Sequence, residues 1–340
     1  MSASAKITSL DVARRAGVSQ SAVSRVFTPG ASASAATAEK VRRAAEELGY
    51  RPNVLARSLI TGKSRIIGLV VAYLDNMFYP DVVEKLSHAL QAEGYHVMMF
   101  MAQQTAGNID AIVDEILDYQ VDGIVTASVA LSSDLAARCQ AAGVPVVLFN
   151  RSQDDARLSA VTSDNFTGAR ELAHFLVAGG HRQIAYIAGW EGAATQRDRE
   201  QGFLDGLASV GLPLYARAVG NFRFEEAKDA ARQLFKGPDR PDAVFVANDH
   251  MAIAVMDVLR TEFRLSVPGE VSVVGFDDVP PAAWPAYDLT TVRQDADAMV
   301  AETVSILLAH VAGTDTNARR VTLDAPLIVR GSARVPEEWT

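Results

Sequence analysis

Two spacings of apolar residues divide the chain. From about residue 8 to residue 48 the apolar positions return every three or four residues, the period of helices with one buried face. From residue 66 onward, short continuous apolar runs alternate with amphipathic stretches, the rhythm of buried strands joined by helices. In the first region Val12, Ala13 and Ala16 share a face that Arg14 and Arg15 avoid. Thr8, with Asp11 three positions on, makes a capping-box start for that helix. Gly17 ends it, because glycine enters a left-handed turn without a Cβ penalty. Val18 fills the turn, Ser19 caps a second helix, and Ala22, Val23 and Val26 form that helix's apolar face. A third helix begins near Ser34 and buries Val41, Ala45 and Leu48. Helix, glycine turn and helix, closed by a third helix, are the parts of a helix-turn-helix unit.

The later rhythm predicts an α/β fold. Ile66–Val71, His96–Met101, Gly123–Thr126 and Val144–Phe149 read as buried parallel strands, with helices over roughly 80–93, 107–118 and 132–142. The pattern restarts after Ser163, with strands at Gln183–Gly189, Ala243–Ala247 and Val271–Phe276. Two such series predict two lobes, each a doubly wound parallel sheet, with a ligand in the cleft at the carboxyl ends of the strands.

Charge changes the picture. The 340 residues carry a net charge of −9, which alone argues against nucleic acid. Yet residues 1–65 hold 11 Lys and Arg against 4 Asp and Glu, a balance of +7, while the remainder stands at −16. A basic end on an acidic body is an electrostatic footprint with one address. The second helix would then enter a major groove, with Gln20 and Ser21 at base edges and Arg25 one turn further along. Glutamine can bond adenine bidentately, and arginine guanine. Thr8 and Ser19 would hold phosphates through hydroxyls and helix N-termini. The plainer alternative is an ordinary three-helix bundle.

Other chemistry is not expected. The single cysteine, Cys139, excludes an intrachain disulfide and a cysteine zinc cluster, fits a reducing compartment, and reads as a small apolar helix residue. The start has no signal-like apolar run and no stretch is long enough to span a membrane, so a cytoplasmic protein without a membrane partner is expected. Phosphate-binding glycine loops, the nucleophile elbow and the HExxH zinc motif are missing, and the six histidines lack ligand spacing. No enzyme, catalytic residue, cofactor or metal is expected.

The stretches DVARRAGVSQSAVSRV, Asp11 to Val26, and GYRPNVLARSLITGKS, Gly49 to Ser64, resemble the lac repressor/galactose repressor (LacI/GalR) family, and the resemblance extends over nearly the whole chain. It implies a repressor of transcription: a homodimer that grips double-stranded operator DNA and is switched by a small-molecule effector. It assigns residues 1–50 to a DNA-binding headpiece, 51–64 to a hinge helix and linker, and 65–340 to an effector-binding and dimerisation core. The core has an N-lobe of about 65–162 and 294–322 and a C-lobe of about 163–293 and 323–340, with crossings near 162, 293 and 322. Gln20 and Ser21 would set the half-site; Ser9 stands where many members carry a larger residue that also touches DNA. The segment Asn53 to Ile60 is too short to be a stable helix alone, and by resemblance folds on the operator. Leu59 would wedge a central base step in the minor groove, Ala56 would meet the groove floor, and Asn53 and Arg57 would lie near phosphates. A flexible linker is the plainer alternative.

The same resemblance places an effector pocket on loops that follow predicted strands. Phe78 and Tyr79 come from NMFYP, Asn150 from FNR, Arg199 from RDREQGF, Asn248 from ANDH and Asp277 from GFDD, joined by Phe222 and Gln294. Aromatic faces would cover sugar rings, while a guanidinium and a carboxylate bond hydroxyls at fixed angles. Asn248 and Asp277 could instead cap helices, and Phe78 and Phe222 could be plain core. Many relatives carry Asp where Asn150 stands, and Arg223 replaces a small polar residue. With Arg151 and Arg197 these predict a positive pocket and, within the class of sugars, sugar acids and sugar phosphates, an anionic effector. Trp190 and Trp284 either line the mouth or pack lobe edges. Three rivals stay open: a solute-binding receptor on the same core, an enzyme on an α/β core, and a constitutive DNA binder with a vestigial pocket.

Overall fold

The computed structural model describes residues 7–28, 31–51, 62–102, 110–127, 133–153 and 155–339. Asn53, Ala56, Arg57 and Leu59 lie outside the described residues. The chain divides into two compact units, Met1–Arg65 and Ile66–Thr340.

The first unit holds α1 (Ser9–Ala16), α2 (Gln20–Phe27) and α3 (Ala35–Leu48). Both halves of the capping box form at the start of α1. The Thr8 amide donates to Asp11 Oδ2 at 2.9 Å, and the Asp11 amide donates to Thr8 Oγ1 at 3.4 Å. Such a cap contributes about 1 kcal/mol. Gly17 turns the chain at φ 67°, the left-handed conformation its lack of a Cβ permits. Ser19 and Ser34 cap α2 and α3. Val12, Ala13, Val23, Val41, Ala44 and Ala45 are the buried centre, with Val18, Val26, Phe27, Leu48 and Tyr50 packed around them.

The second unit is built on two six-stranded sheets. Its chain runs β1 (Ile66–Val71), α4 (Phe78–Ala92), β2 (His96–Met101), α5 (Asp110–Asp118), β3 (Gly123–Ala127), α6 (Ser133–Ala141), β4 (Val146–Phe149) and β5 (Ser159–Ser163). It continues with α7 (Asn165–Ala178), β6 (Ile184–Ala188), α8 (Ala194–Ser209), β7 (Ala216–Val219), α9 (Phe224–Phe235), β8 (Ala243–Val246), α10 (Asp249–Thr261) and β9 (Ser272–Asp277). Last come β10 (Thr290–Arg293), α11 (Ala296–Ala312), β11 (Arg320–Leu323) and β12 (Leu327–Ile328). The first sheet has the order β11-β5-β4-β3-β1-β2 and the second β12-β10-β9-β8-β6-β7. Every pair is parallel except β10 with β12, which is antiparallel. The apolar runs at β3, β4, β6, β8 and β9 are buried at every position, as expected of strands covered by helices on both faces.

Two expectations change. His96–Met101 was expected as a buried strand; it pairs only with β1, at the sheet's edge, and leaves Met99 46% and Met101 45% exposed. An apolar run marks strand formation without saying which strands become neighbours. β4 begins at Val146 rather than Val144, because Pro145 has no amide hydrogen for the ladder.

The chain passes between the sheets after Ser163, after Arg293 and after Leu323, so the strands' carboxyl ends in both sheets feed one cleft. Close packing of α7 on α8 helps fix that cleft. A Cβ on Gly202 would stand 2.1 Å from the Phe166 carbonyl oxygen, so no larger residue fits without displacing backbone. Among the described residues no helix is long and apolar enough to cross a membrane, and no cluster of His, Cys, Asp or Glu could hold a metal ion.

Candidate functional site

On α2, the residues not used for packing make a polar surface. Ser19, Gln20, Ser21 and Arg25 are exposed while Val23, on the opposite side, is buried. Thr8 is also exposed. Within the unit the Gln20 side chain donates to Ser9 Oγ at 2.9 Å, which links the α2 N-terminus to α1. Ser19 and Ser21 share a hydroxyl contact of 2.9 Å. Hydroxyl and amide groups thus stand at the N-terminus of α2 and a guanidinium in its last turn, the chemistry that meets base edges and phosphates.

In the second unit, the cleft residues converge on Arg199 and Asp277. Arg199, on α8, is 2% exposed. Its Nε donates to Asn165 Oδ1 at 2.8 Å, Nη1 to the Ala247 carbonyl at 2.6 Å and Nη2 to Asp277 Oδ1 at 3.3 Å. Its guanidinium carbon lies 3.7 Å from the centre of the Phe276 ring. Asp277 also accepts from Gln294 Nε2 at 2.7 Å and from Asn76 Nδ2 at 3.5 Å. Burial pushes the Asp277 carboxyl up, and Arg199 pulls it back.

The other residues expected in the pocket lie at the starts of helices and on loops after strands. Phe78 and Tyr79 are buried at the start of α4, with their rings 5.5 Å apart, and Phe78 lies 6.3 Å from Phe149. Asn76 Oδ1 accepts from the Phe78 amide at 3.1 Å and so orients this turn. Asn150, next to Tyr79, is buried with no partner on its Oδ1. The Phe222 ring lies over Gly189, where a Cβ would stand 2.1 Å from it. Asn248 caps α10, its Oδ1 accepting from the Met251 amide at 3.0 Å.

Several of these residues hold unusual backbone conformations. Asn150 (φ 53°), Asn221 (φ 52°), Phe222 (φ 60°), Asp277 (φ 130°) and Asp278 (φ 58°) lie at or just after the ends of β4, β7 and β9. Asn and Asp enter the left-handed region more readily than other residues; a phenylalanine there is strained by about 1–3 kcal/mol. Strain gathered at one set of loops marks a site whose side chains are aimed by the surrounding structure.

Sequence reasoning gave little weight to four groups. Asn76 and Asn165 brace the Arg199–Asp277 pair, yet neither stands in a spacing that announces it. Asp249 is fully buried, accepts from Thr291 Oγ1 at 2.6 Å and from the Val279 amide at 3.0 Å, and is pushed up to about 7 by burial and then by Asp277. Arg151, counted with Arg197 toward a positive pocket but not among the residues that hold the effector, is 4% exposed and leaves Nε and Nη1 without a partner. Arg223, by contrast, is exposed and pairs with Glu226 at 3.5 Å, so its charge is spent outside the pocket. Trp190 lines a cavity at the cleft, whereas Trp284 is 54% exposed.

Comparison with known proteins agrees with both halves. Residues 8–53 match the bacterial regulatory proteins of the lacI family, and residues 173–333 match a periplasmic binding protein-like domain. The chain is 30% identical over 328 residues to the ribose operon repressor of Escherichia coli (strain K12), covering 95% of this chain and 98% of that protein. It is 29% identical to the lac repressor dimer bound to operator and the anti-inducer ONPF, with a TM-score of 0.86 over 96% of this chain and 99% of that one. It is 32% identical to the transcriptional regulator CelR in its cellobiose complex, with a TM-score of 0.72 over 96% of this chain and 100% of that one. The strands, the helix-turn-helix and the cleft therefore have one source: the chain belongs to the LacI family of bacterial regulatory proteins.

Proposed function

We propose that this DNA-binding regulator represses transcription as a cytoplasmic homodimer, released from or fixed to its operator by a sugar-class effector held in the cleft. The observation that carries the reading is the occurrence, in one chain, of two unfinished polar surfaces. One is the exposed row Ser19, Gln20, Ser21 and Arg25. The other is a buried cleft in which Asn150 Oδ1, Arg151 Nε and Nη1 and Gln294 Oε1 have no partner. Buried polar groups are nearly always paired, and leaving one unpaired costs about 1–3 kcal/mol, so a cleft that collects them is arranged for a ligand.

In this reading Thr8 and Ser19 contact phosphates, Gln20, Ser21 and Arg25 contact bases, and residues 51–64, including Asn53, Ala56, Arg57 and Leu59, form the hinge. Phe78, Tyr79, Asn150, Arg199, Phe222, Asn248, Asp277 and Gln294 hold the effector. The lac repressor dimer on its operator and the cellobiose complex of CelR support each half of this assignment. Met99 and Met101 on the edge strand β2, and Trp284, supply exposed apolar surface for a second copy.

The test is the affinity of the full chain for the DNA upstream of its own gene, read by fluorescence anisotropy with and without a panel of sugars. One member should shift the dissociation constant by roughly 5–150-fold, the usual range of such coupling. Tight binding that no sugar changes would favour the constitutive reading.

A further inference from the structure

We infer that the effector carries an anionic group, a carboxylate or a phosphate, seated in a second pocket beside the Arg199–Asp277 pair; this rests on the effector reading above. The pocket, a cavity of about 220 Å³, joins the two lobes: Arg151, Ser152 and Gln153 come from the loop after β4, and Trp190, Ala194 and Arg197 from the loop and helix after β6. Three features give it an anion's chemistry.

The first is Arg151. It is 4% exposed, its Nε and Nη1 have no hydrogen-bond partner, and its guanidinium carbon lies 5.9 Å from the centre of the Phe222 ring. A buried cation without a counter-charge is expensive unless something completes it. Arg199 differs, since its Nε, Nη1 and Nη2 each already have a partner within the protein.

The second is the start of α8, a helix of 16 residues whose N-cap is Ala193 and which no side chain caps. Gly192, Ala193 and Ala194 at this helix start line the same cavity, at the positive end of the helix dipole. The third is Arg197, exposed near the start of α8 and lining the same cavity as Arg151. A neutral sugar would leave Arg151 uncompensated; an anion would bridge an N-lobe arginine to a C-lobe helix, and so would hold the lobes together in proportion to its charge.

Two measurements on the full chain test this. Inorganic phosphate is titrated at constant ionic strength, balanced with chloride, while Trp190 fluorescence is followed, with Trp190→Phe as the signal control. The signal should saturate, and its midpoint should rise at least tenfold in Arg151→Gln and in Arg197→Gln. Arg197 is exposed, so its variant remains informative even if the buried substitution fails to fold. In the second arm, matched sets of a neutral sugar, its uronic acid and its phosphate are titrated by calorimetry. At least one acid or phosphate should bind tenfold or more tighter than its neutral parent, and Arg197→Gln should erase that preference; which member wins distinguishes carboxylate from phosphate. A phosphate signal that never saturates, or is unchanged in Arg197→Gln, overturns the inference, as does a neutral sugar that binds as tightly as its anions. A chain that answers phosphate in this way but no sugar supports the anion pocket and counts against the sugar-class reading, so the two can fail separately.

Discussion

Asp249 shows how much a single buried carboxyl can reveal about this core. It is fully buried, bonded to Thr291 and the Val279 amide, and raised to about 7 by burial and by Asp277. A carboxyl titrates near 3.9 when unfolded, so the folded state binds the extra proton between about pH 4 and 7. The stability from this group is therefore fully present below about pH 4 and is lost as pH rises through about 7. His181 and His250 act oppositely: burial lowers both, so their contribution is lost as pH falls below the usual histidine value. Comparing the native chain with Asp249→Asn isolates the carboxyl. From pH 5 to pH 8 the thermal midpoint of the core should fall more steeply in the native chain than in the variant. Parallel slopes would mean that Asp249 is ionised throughout. At this scale the sequence was least legible. GFDD and ANDH name the loops that carry Asp277 and Asp249, but only three-dimensional packing puts Asp249 beside Asp277 or leaves Arg151 Nε and Nη1 unpaired.

At the scale of elements, legibility followed apolar content: β5 and β10 are largely buried but carry Ser and Thr. Long apolar runs such as VSVVGF and AVFV became central strands because a run buried on both faces has no polar residues to disguise it. The strands β5, β7, β10, β11 and β12 had no such signal: ARAV and RVTL are short, half-polar pieces at or near sheet edges. β2 shows the converse, a run apolar enough for a centre that lies at an edge. The pairing of α7 with α8 was not legible either, since the glycine that permits it reads in sequence as a helix weakness. Gly202→Ala should destabilise the core by about 1–3 kcal/mol, the range for overpacking, measured by urea unfolding. No change in the midpoint would show that the helices can part there without penalty.

At the scale of the molecule, function rests on a basic end and an acidic body within one chain. The +7 balance of residues 1–65 favours any duplex, and the loss of affinity with salt should report the counterions released. Charge alone does not select a sequence; in the proposed reading Gln20, Ser21 and Arg25 do that, twice when two copies bind together. The most direct measurement is selection of duplexes from a random-sequence pool by the full-length protein, followed by sequencing of the bound fraction. The predicted result is an inverted repeat of two half-sites, with the same bases changing in both halves when Gln20 and Ser21 are substituted. A bound fraction with no consensus, or one whose preferred bases are indifferent to Gln20 and Ser21, would contradict it.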